Sequence, residues 1–369
     1  MRIILTANTA FALINFRLGL IRALKSDGHE VFVLVPQDAT VTKLIEEGCQ
    51  YRPLQMNRRG THVFEEAATV LSFLRVFREL RPDAVLSYTI KNNLYGGISA
   101  RALRIPFIPN VTGLGKAFAQ ESMTKRAALW AYQVAFARCP TVFFQNKTDM
   151  ELMISHGPVS SDQAAILPGS GVNLDRFRAT ELPGSQDNPT FLFVGRMLWD
   201  KGVGEFVEAA KGIKNVFPKA RFQLLGDLEV AGEDAVSEAT VRAWHRSGDV
   251  EYLGSVEDVR SLVAQADCVV LPSYYREGTP RSLLEAAAMA RPLITTKMPG
   301  CEDVVTDGTS GYLVDPRSVA DLQDRMAEIA RLTPEQRTRM GHAGRSFMEE
   351  AYDEACVISA YRNALNDIT

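Results

Sequence analysis

Two doubly wound α/β domains in one chain are the fold this sequence predicts, and three observations carry that expectation. Short β-branched runs alternate with loops and amphipathic helical patterns, as when parallel strands are joined by right-handed helical crossovers. The alternation breaks once, in a stretch of turn formers, and then restarts. The 369 residues also exceed the roughly 250 at which a single core stops growing.

In the first half, strands are expected at 2–6, 31–35, 84–87, 106–109 and 141–145. Between them, Ile14, Leu18, Ile21 and Leu24 repeat at three and four residues. Phe64, Ala67, Ala68, Leu71, Leu74 and Phe77 do the same. The turn formers Pro168 to Gly171 and Leu182 to Pro189 place the interdomain connection. Strands then follow at 190–194, 221–225, 250–253, 268–272 and 293–296. Val203, Phe206, Val207, Ala210 and Ile213 form one helical stripe after Lys201. The expected domains are 1–180 and 181–353, with the last helical pattern (354–369) packing back on the first domain. Ligands of such sheets bind beyond the carboxyl ends of the strands, so a cleft between two facing sheets is the expected site.

Composition removes several classes. With 46% hydrophobic and 23% charged residues, the chain is too apolar for intrinsic disorder. Its net charge of -3 argues against a general nucleic-acid binder. The charge is uneven: residues 1–185 hold 21 basic and 15 acidic side chains, the remainder 20 and 29. The first half can therefore face phosphates or an anionic membrane. Five dispersed cysteines without a C-x-x-C pair suggest a reducing compartment rather than a disulfide or zinc framework. No uncharged apolar stretch reaches 18 residues, and the uncharged segment from Ile3 to Phe16 reads better as a strand, loop and helix than as a signal core. The cytoplasm is the expected compartment.

Two loops carry the candidate chemistry. In Tyr274-Tyr275-Arg276-Glu277-Gly278-Thr279-Pro280-Arg281-Ser282-Leu283-Leu284-Glu285, Thr279 is a natural N-cap and Pro280 a natural first helical residue. The amides of such a first turn form an anion site, and Gly278 lets a ligand come close to the backbone. Glu277 and Glu285 flank it and can accept hydrogen bonds from sugar or ribose hydroxyls. The plain alternative is a turn residue and a solvated helix residue. In Gly195-Arg196-Met197-Leu198-Trp199-Asp200-Lys201-Gly202, Arg196 and Lys201 flank a strand-to-helix turn and can clamp a diphosphate, or be two solvated cations. Neither G-x-G-x-x-G nor G-x-x-x-x-G-K-[ST] occurs, which argues against a Rossmann dehydrogenase or a P-loop kinase. Without an Asp-x-Asp pair, no metal-clamped diphosphate is suggested.

With Glu277-x7-Glu285, Gly195-Arg196, Lys201-Gly202 and Pro272-Ser273 in place, the whole chain resembles the family 4 retaining glycosyltransferases of the GT-B fold. Asn15-Phe16-Arg17, the run Val33 to Asp38 and the loop Asn110 to Gly115 are similar to the branch that builds capsules and lipid-linked oligosaccharides. The resemblance implies that Arg196 and Lys201 hold the donor diphosphate and stabilise the leaving group. It gives Gly278, Thr279 and Pro280 to the helix start, Glu277 to the donor sugar and Glu285 to the ribose. Neither glutamate is a nucleophile in this reading, because the leaving phosphate takes the acceptor proton. No cofactor and no metal is expected. Where many members carry a glycine pair, this chain reads Thr6-Ala7-Asn8-Thr9-Ala10, and the amides of Asn8 to Ala10 are weaker candidates for donor phosphate or acceptor. Thr112 and Gly113 are weaker candidates for the sugar pocket.

The expected activity is transfer of an N-acetylhexosamine or hexose from a UDP-sugar to a polyprenyl-diphosphate-linked or polysaccharide acceptor, without nucleic acid. Lys116 to Trp130, with Arg58, Arg59 and Lys91, suggests a peripheral contact with anionic lipid on the cytoplasmic face of the inner membrane. Leu129, Trp130, Val134 and Phe136 read alternatively as core. A sugar-nucleotide epimerase and a non-catalytic nucleotide-sugar-binding protein are the rival functions.

Overall fold

The computed structural model describes residues 1–57, 63–115, 118, 123–183, 188–228, 232 and 234–368. Arg58-Arg59, Lys116-Ala117 and part of the expected connection, 184–187, lie outside the described residues. The chain divides into two compact units, Met1–Ser170 with Glu354–Thr369, and Gly171–Asp353.

The first unit runs β1 (Arg2–Thr6), α1 (Ala10–Ser26), β2 (Glu30–Val35), α2 (Val41–Glu46), β3 (Gln50–Pro53), α3 (Val63–Leu80) and β4 (Ala84–Tyr88). A π-helical turn, Asn92–Gly96, leads into α4 (Gly97–Leu103), then β5 (Phe107–Val111), α5 (Met123–Phe136), β6 (Val142–Phe144), α6 (Lys147–Ser155) and β7 (Ala164–Ile166). The strands form one parallel sheet in the order β3-β2-β1-β4-β5-β6-β7. Chain order reverses between β1 and β4, and a crevice opens beyond the carboxyl ends at such a point. Ile4, Val85 and Phe144 belong to the core on one side, and Ile3, Leu5 and Leu86 to the core on the other. Alternation along strands buried on both faces produces that division.

The second unit contains β8 (Thr190–Val194), α7 (Val203–Val216), β9 (Arg221–Leu225), α8 (Glu238–Ser247), β10 (Glu251–Tyr252) and α9 (Arg260–Ala264). There follow β11 (Cys268–Leu271), α10 (Arg281–Ala288), β12 (Leu293–Thr296), β13 (Gly311–Val314), α11 (Val319–Arg331) and α12 (Pro334–Ala351). Its parallel sheet has the order β10-β9-β8-β11-β12-β13, with the reversal between β8 and β11. The last helix, α13 (Glu354–Asn366), groups with the first unit, where Tyr361 packs against Phe143 and Tyr88.

The division falls at residue 171, ten residues before the expected 181. Val172 bridges Asp353, Phe177 enters the second core, and Arg291 donates to Thr180 Oγ1 at 2.6 Å. Residues 171–180 are thus held by the carboxy-terminal unit despite their turn-rich composition. The expected stripe on α1 is also rotated. Its buried face is Ala10, Leu13, Arg17, Leu20, Ile21 and Leu24, whereas Ile14 and Leu18 are only half-buried. In α5, Phe136 is core and Leu129 and Val134 are half-buried, but Trp130 is 68% exposed, so the core reading fails for Trp130.

Candidate active site

The loops after β8 and β11 flank the reversal point of the carboxy-terminal sheet, and backbone contacts lock them together. The Asp200 carbonyl accepts the amides of Tyr274 and Tyr275 at 3.0 and 3.1 Å. Gly202, at φ +75°, caps α7 against the Pro272 carbonyl, where a Cβ would lie 2.1 Å from the oxygen. Only glycine combines that conformation with that approach. Gly300 fits in the same way against the Gly278 carbonyl, and the Thr296 hydroxyl donates to the Ser273 carbonyl. Three neighbouring strand ends therefore share one rigid cluster of loops.

This brings Lys201 and Glu277 into direct contact. Lys201 Nζ donates to Glu277 Oε1, with both side chains close to nine-tenths buried. The Ser273 hydroxyl lies 2.8 Å from the same oxygen and 3.2 Å from the Asp200 carbonyl. Lys201 Nζ also sits 5.8 Å from the centre of the Tyr275 ring. Arg196 stands at the mouth of the β8 loop and is exposed, with no ion pair among the described residues. Gly195 is fixed by its amide N–H, which donates a hydrogen bond to the Leu225 carbonyl at 3.0 Å. Burial, reinforced by nearby Glu277, pushes the Cys301 thiol up to about 12, which leaves it neutral and unreactive.

The α10 start differs from expectation by one residue. Pro280, at ψ 118°, is the N-cap, and Arg281 is the first helical residue. Thr279 is buried ahead of the cap and does not serve as it, because the extended ψ at Pro280 moves the helix entry past it. Glu285 is not solvated. Its carboxylate accepts from Arg281 Nε at 2.6 Å, four residues back, with only 14% of the side chain exposed. Burial raises its affinity for a proton, against the pull of the Arg281 guanidinium. Arg281 has no role among the sequence expectations, although an Arg four residues before a Glu is the available signal.

The weaker candidates lie in the first unit. Thr9 is the N-cap of α1, its hydroxyl accepting the Ala12 amide at 2.9 Å. Asp38 already accepts the Ala10 amide at 2.8 Å. Burial works against the charge of Asp38, but hydrogen bonds from Thr40, Ala10 and Phe11 hold its carboxyl below the usual range. The Ala10 amide, a candidate for donor phosphate or acceptor, is thus engaged by a carboxylate in this structure. Asn8, after β1, and Thr112 and Gly113, after β5, are half-buried at the carboxyl edge. The Leu114 amide anchors the latter loop to buried Asp149 at 3.2 Å. Among the described residues, no group of three His, Cys, Asp or Glu could hold a metal ion.

The Lys201–Glu277 pair thus stands where the doubly wound sheet reverses, the place at which such sheets bind their ligands. Residues 15–169 match the family described as glycosyl transferase 4-like domain, and residues 177–347 the family described as glycosyl transferases group 1. The chain is a glycosyltransferase of the GT-B fold, and it belongs to family 4.

It is 27% identical, over 98% of its length and 97% of the relative's, to the N,N'-diacetylbacillosaminyl-diphospho-undecaprenol alpha-1,3-N-acetylgalactosaminyltransferase of Campylobacter jejuni. It is 22% identical, over 83% of its length and 81% of the relative's, to the UDP-Gal:alpha-D-GlcNAc-diphosphoundecaprenol alpha-1,3-galactosyltransferase of Escherichia coli. Anabaena HepE, solved with UDP-glucose, shares the fold over the whole of both chains with a TM-score of 0.80 at 16% identity.

Proposed function

We propose that the chain is a retaining transferase that moves an N-acetylhexosamine or hexose from a UDP-sugar to a polyprenyl-diphosphate-linked acceptor in surface-glycan synthesis. The observation that carries this reading is the Lys201–Glu277 pair, set with Arg196 at the β8/β11 reversal. The end-to-end similarity to a transferase named for an undecaprenyl-diphosphate acceptor supports the acceptor class. A relative named for UDP-galactose supports the donor class. Arg196 and Lys201 take the donor diphosphate, the amides at the α10 start lie beneath it, Glu277 holds sugar hydroxyls and Glu285 the ribose.

In the reaction, the acceptor oxygen bonds to the anomeric carbon on the face from which the diphosphate leaves. The acceptor proton passes to the departing phosphate oxygen. Arg196 and Lys201 stabilise the charge that develops there. Glu277 Oε1 is engaged by Lys201 and Ser273, which suits a hydrogen-bonding role better than a nucleophilic one.

The test is transfer from a panel of UDP-sugars to a short-chain prenyl-diphosphate saccharide, with the new linkage read by NMR. The expected result is an acceptor-dependent product with the anomeric configuration of the donor. Since two protein cations supply the charge, a chelator in excess is expected to change the rate by less than about twofold, against the several kcal/mol that losing a required metal would cost. An inverted linkage, or conversion of the donor without acceptor, would overturn the reading.

A peripheral contact with anionic lipid is part of the proposal. On α3, Phe64 and Leu71 are 91% and 65% exposed, and on α5, Met123 and Trp130 are 78% and 68% exposed. Arg75, Arg78 and Arg126 are exposed on the same two helices. Among the described residues no helix is long and apolar enough to cross a membrane. Flotation with phosphatidylglycerol vesicles is expected at low salt and reduced at high salt, as screening dictates. Absence of binding at low salt removes this part of the proposal.

A further inference from the structure

Arg17 occupies a core position on α1 and is only 3% exposed. Its guanidinium lies 4.5 Å from the centre of the Tyr88 ring, and among the described residues Nη1 has no hydrogen-bond partner. No ion pair reaches Arg17 among the described residues. Tyr88 does not neutralise it, because burial pushes that phenol well above its ordinary value and keeps it uncharged. A guanidinium carries a full positive charge, and among the described residues no carboxylate pairs with it in the first unit. Burying an ion without a partner is costly, and a cation–π contact returns only part of that cost. A chain that keeps such a residue at a position suited to leucine carries a cost that packing does not explain.

The place matters as much as the charge. Tyr88 ends β4, one of the two strands at the reversal of the amino-terminal sheet. The next residue, Thr89, has φ +73°, a strained conformation for a β-branched side chain. A π-helical turn, rare and frequent at functional sites, begins at Asn92. The amide end of α1, which would otherwise be the anion site of this unit, is taken by Asp38. Recognition of an anion at this edge therefore falls to a side chain.

We propose that Arg17 binds the diphosphate of the acceptor: the guanidinium rests on Tyr88 and swings outward on its flexible stem when a prenyl diphosphate arrives at the carboxyl edge of β4. The ligand class rests on the acceptor reading above, and the anion preference rests on the unpaired charge alone.

The experiment compares the full-length protein with Arg17→Met and Arg17→Lys. Calorimetry with farnesyl diphosphate, farnesol and UDP is combined with thermal melts. Arg17→Met is expected to weaken farnesyl diphosphate by about ten- to a hundredfold, the loss of a charge-assisted hydrogen-bond pair. Farnesol and UDP affinities are expected to stay unchanged, and Arg17→Lys to recover part of the loss. The melting temperature of Arg17→Met is expected to equal or exceed that of the parent, because methionine fills the space without a buried charge. A lower melting temperature would make Arg17 a packing residue and overturn the proposal. So would equal farnesyl diphosphate affinity in parent and Arg17→Met, or no binding to the parent; in either case intact UDP binding would leave the transferase reading standing.

Discussion

Lys201→Ala is expected to lower turnover by about two to three orders of magnitude, the range seen when one preorganised donor to developing charge is removed. The side chain is already in place before substrate arrives, tied to Glu277 and set over Tyr275. Truncation removes more than a cation. It leaves the Glu277 carboxylate with the Ser273 hydroxyl but without its lysine, beside the position assigned to a diphosphate. At about 5 Å and an effective dielectric near 20, two unit charges interact by roughly 3 kcal/mol, so the uncovered carboxylate adds repulsion to the lost attraction. The loss should therefore exceed that of Arg196→Ala. It should also be non-additive: Lys201→Ala combined with Glu277→Gln should fall well short of the product of the two single losses. Steady-state kinetics at saturating donor, with circular dichroism to confirm folding, checks this. Turnover within threefold of the parent in Lys201→Ala would remove Lys201 from the site.

The second large effect concerns a residue without a side chain. Gly202→Ala places a methyl group 2.1 Å from the Pro272 carbonyl oxygen at a residue with φ +75°. The left-handed conformation alone costs an alanine about 1–2 kcal/mol. Relief of the overlap must come from the backbone, since both partners belong to it. The loop carrying Lys201 moves as a result, and a misplacement near 1 Å costs about a hundredfold in rate. Gly248→Ala is the control, because Gly248 has φ +78° with nothing within 4 Å of its Cβ position. Urea unfolding is expected to show a loss of about 1 kcal/mol for Gly248→Ala and about 3 kcal/mol or more for Gly202→Ala, with turnover lowered only in the latter. Equal behaviour of the two variants would mean that the Gly202–Pro272 contact does not position Lys201.

Much of this architecture is legible in the sequence, for a physical reason. Strands of a doubly covered parallel sheet are continuous apolar runs, and β1, β8, β9 and β12 stand at their expected positions. The strands that escape notice lack that signature. Gln50–Pro53 is a polar edge strand containing proline, and Ala164–Ile166 has two alanines in three residues. Gly311–Val314 begins with a glycine lying close against the Leu293 backbone. The Arg196–Lys201 and Glu277–Glu285 loops are legible because chemistry in such sheets gathers after strand ends. Contacts that no periodicity encodes are not legible: the Asp200 carbonyl joining two loops, or the glycine-to-carbonyl approaches. Arg17 is hidden differently. Counting apolar residues draws the α1 stripe through Ile14 and Leu18, and the true face includes a charge that such counting excludes by design.

We propose that Arg196 and Lys201 together receive the donor diphosphate at the β8/β11 reversal. Calorimetric titration of UDP and of uridine into the parent and into Arg196→Ala/Lys201→Ala tests it most directly. Losing two charge-assisted contacts should weaken UDP by about a hundredfold or more, while uridine, which has no phosphate, binds both proteins alike. Equal UDP affinity in the two proteins would contradict the account.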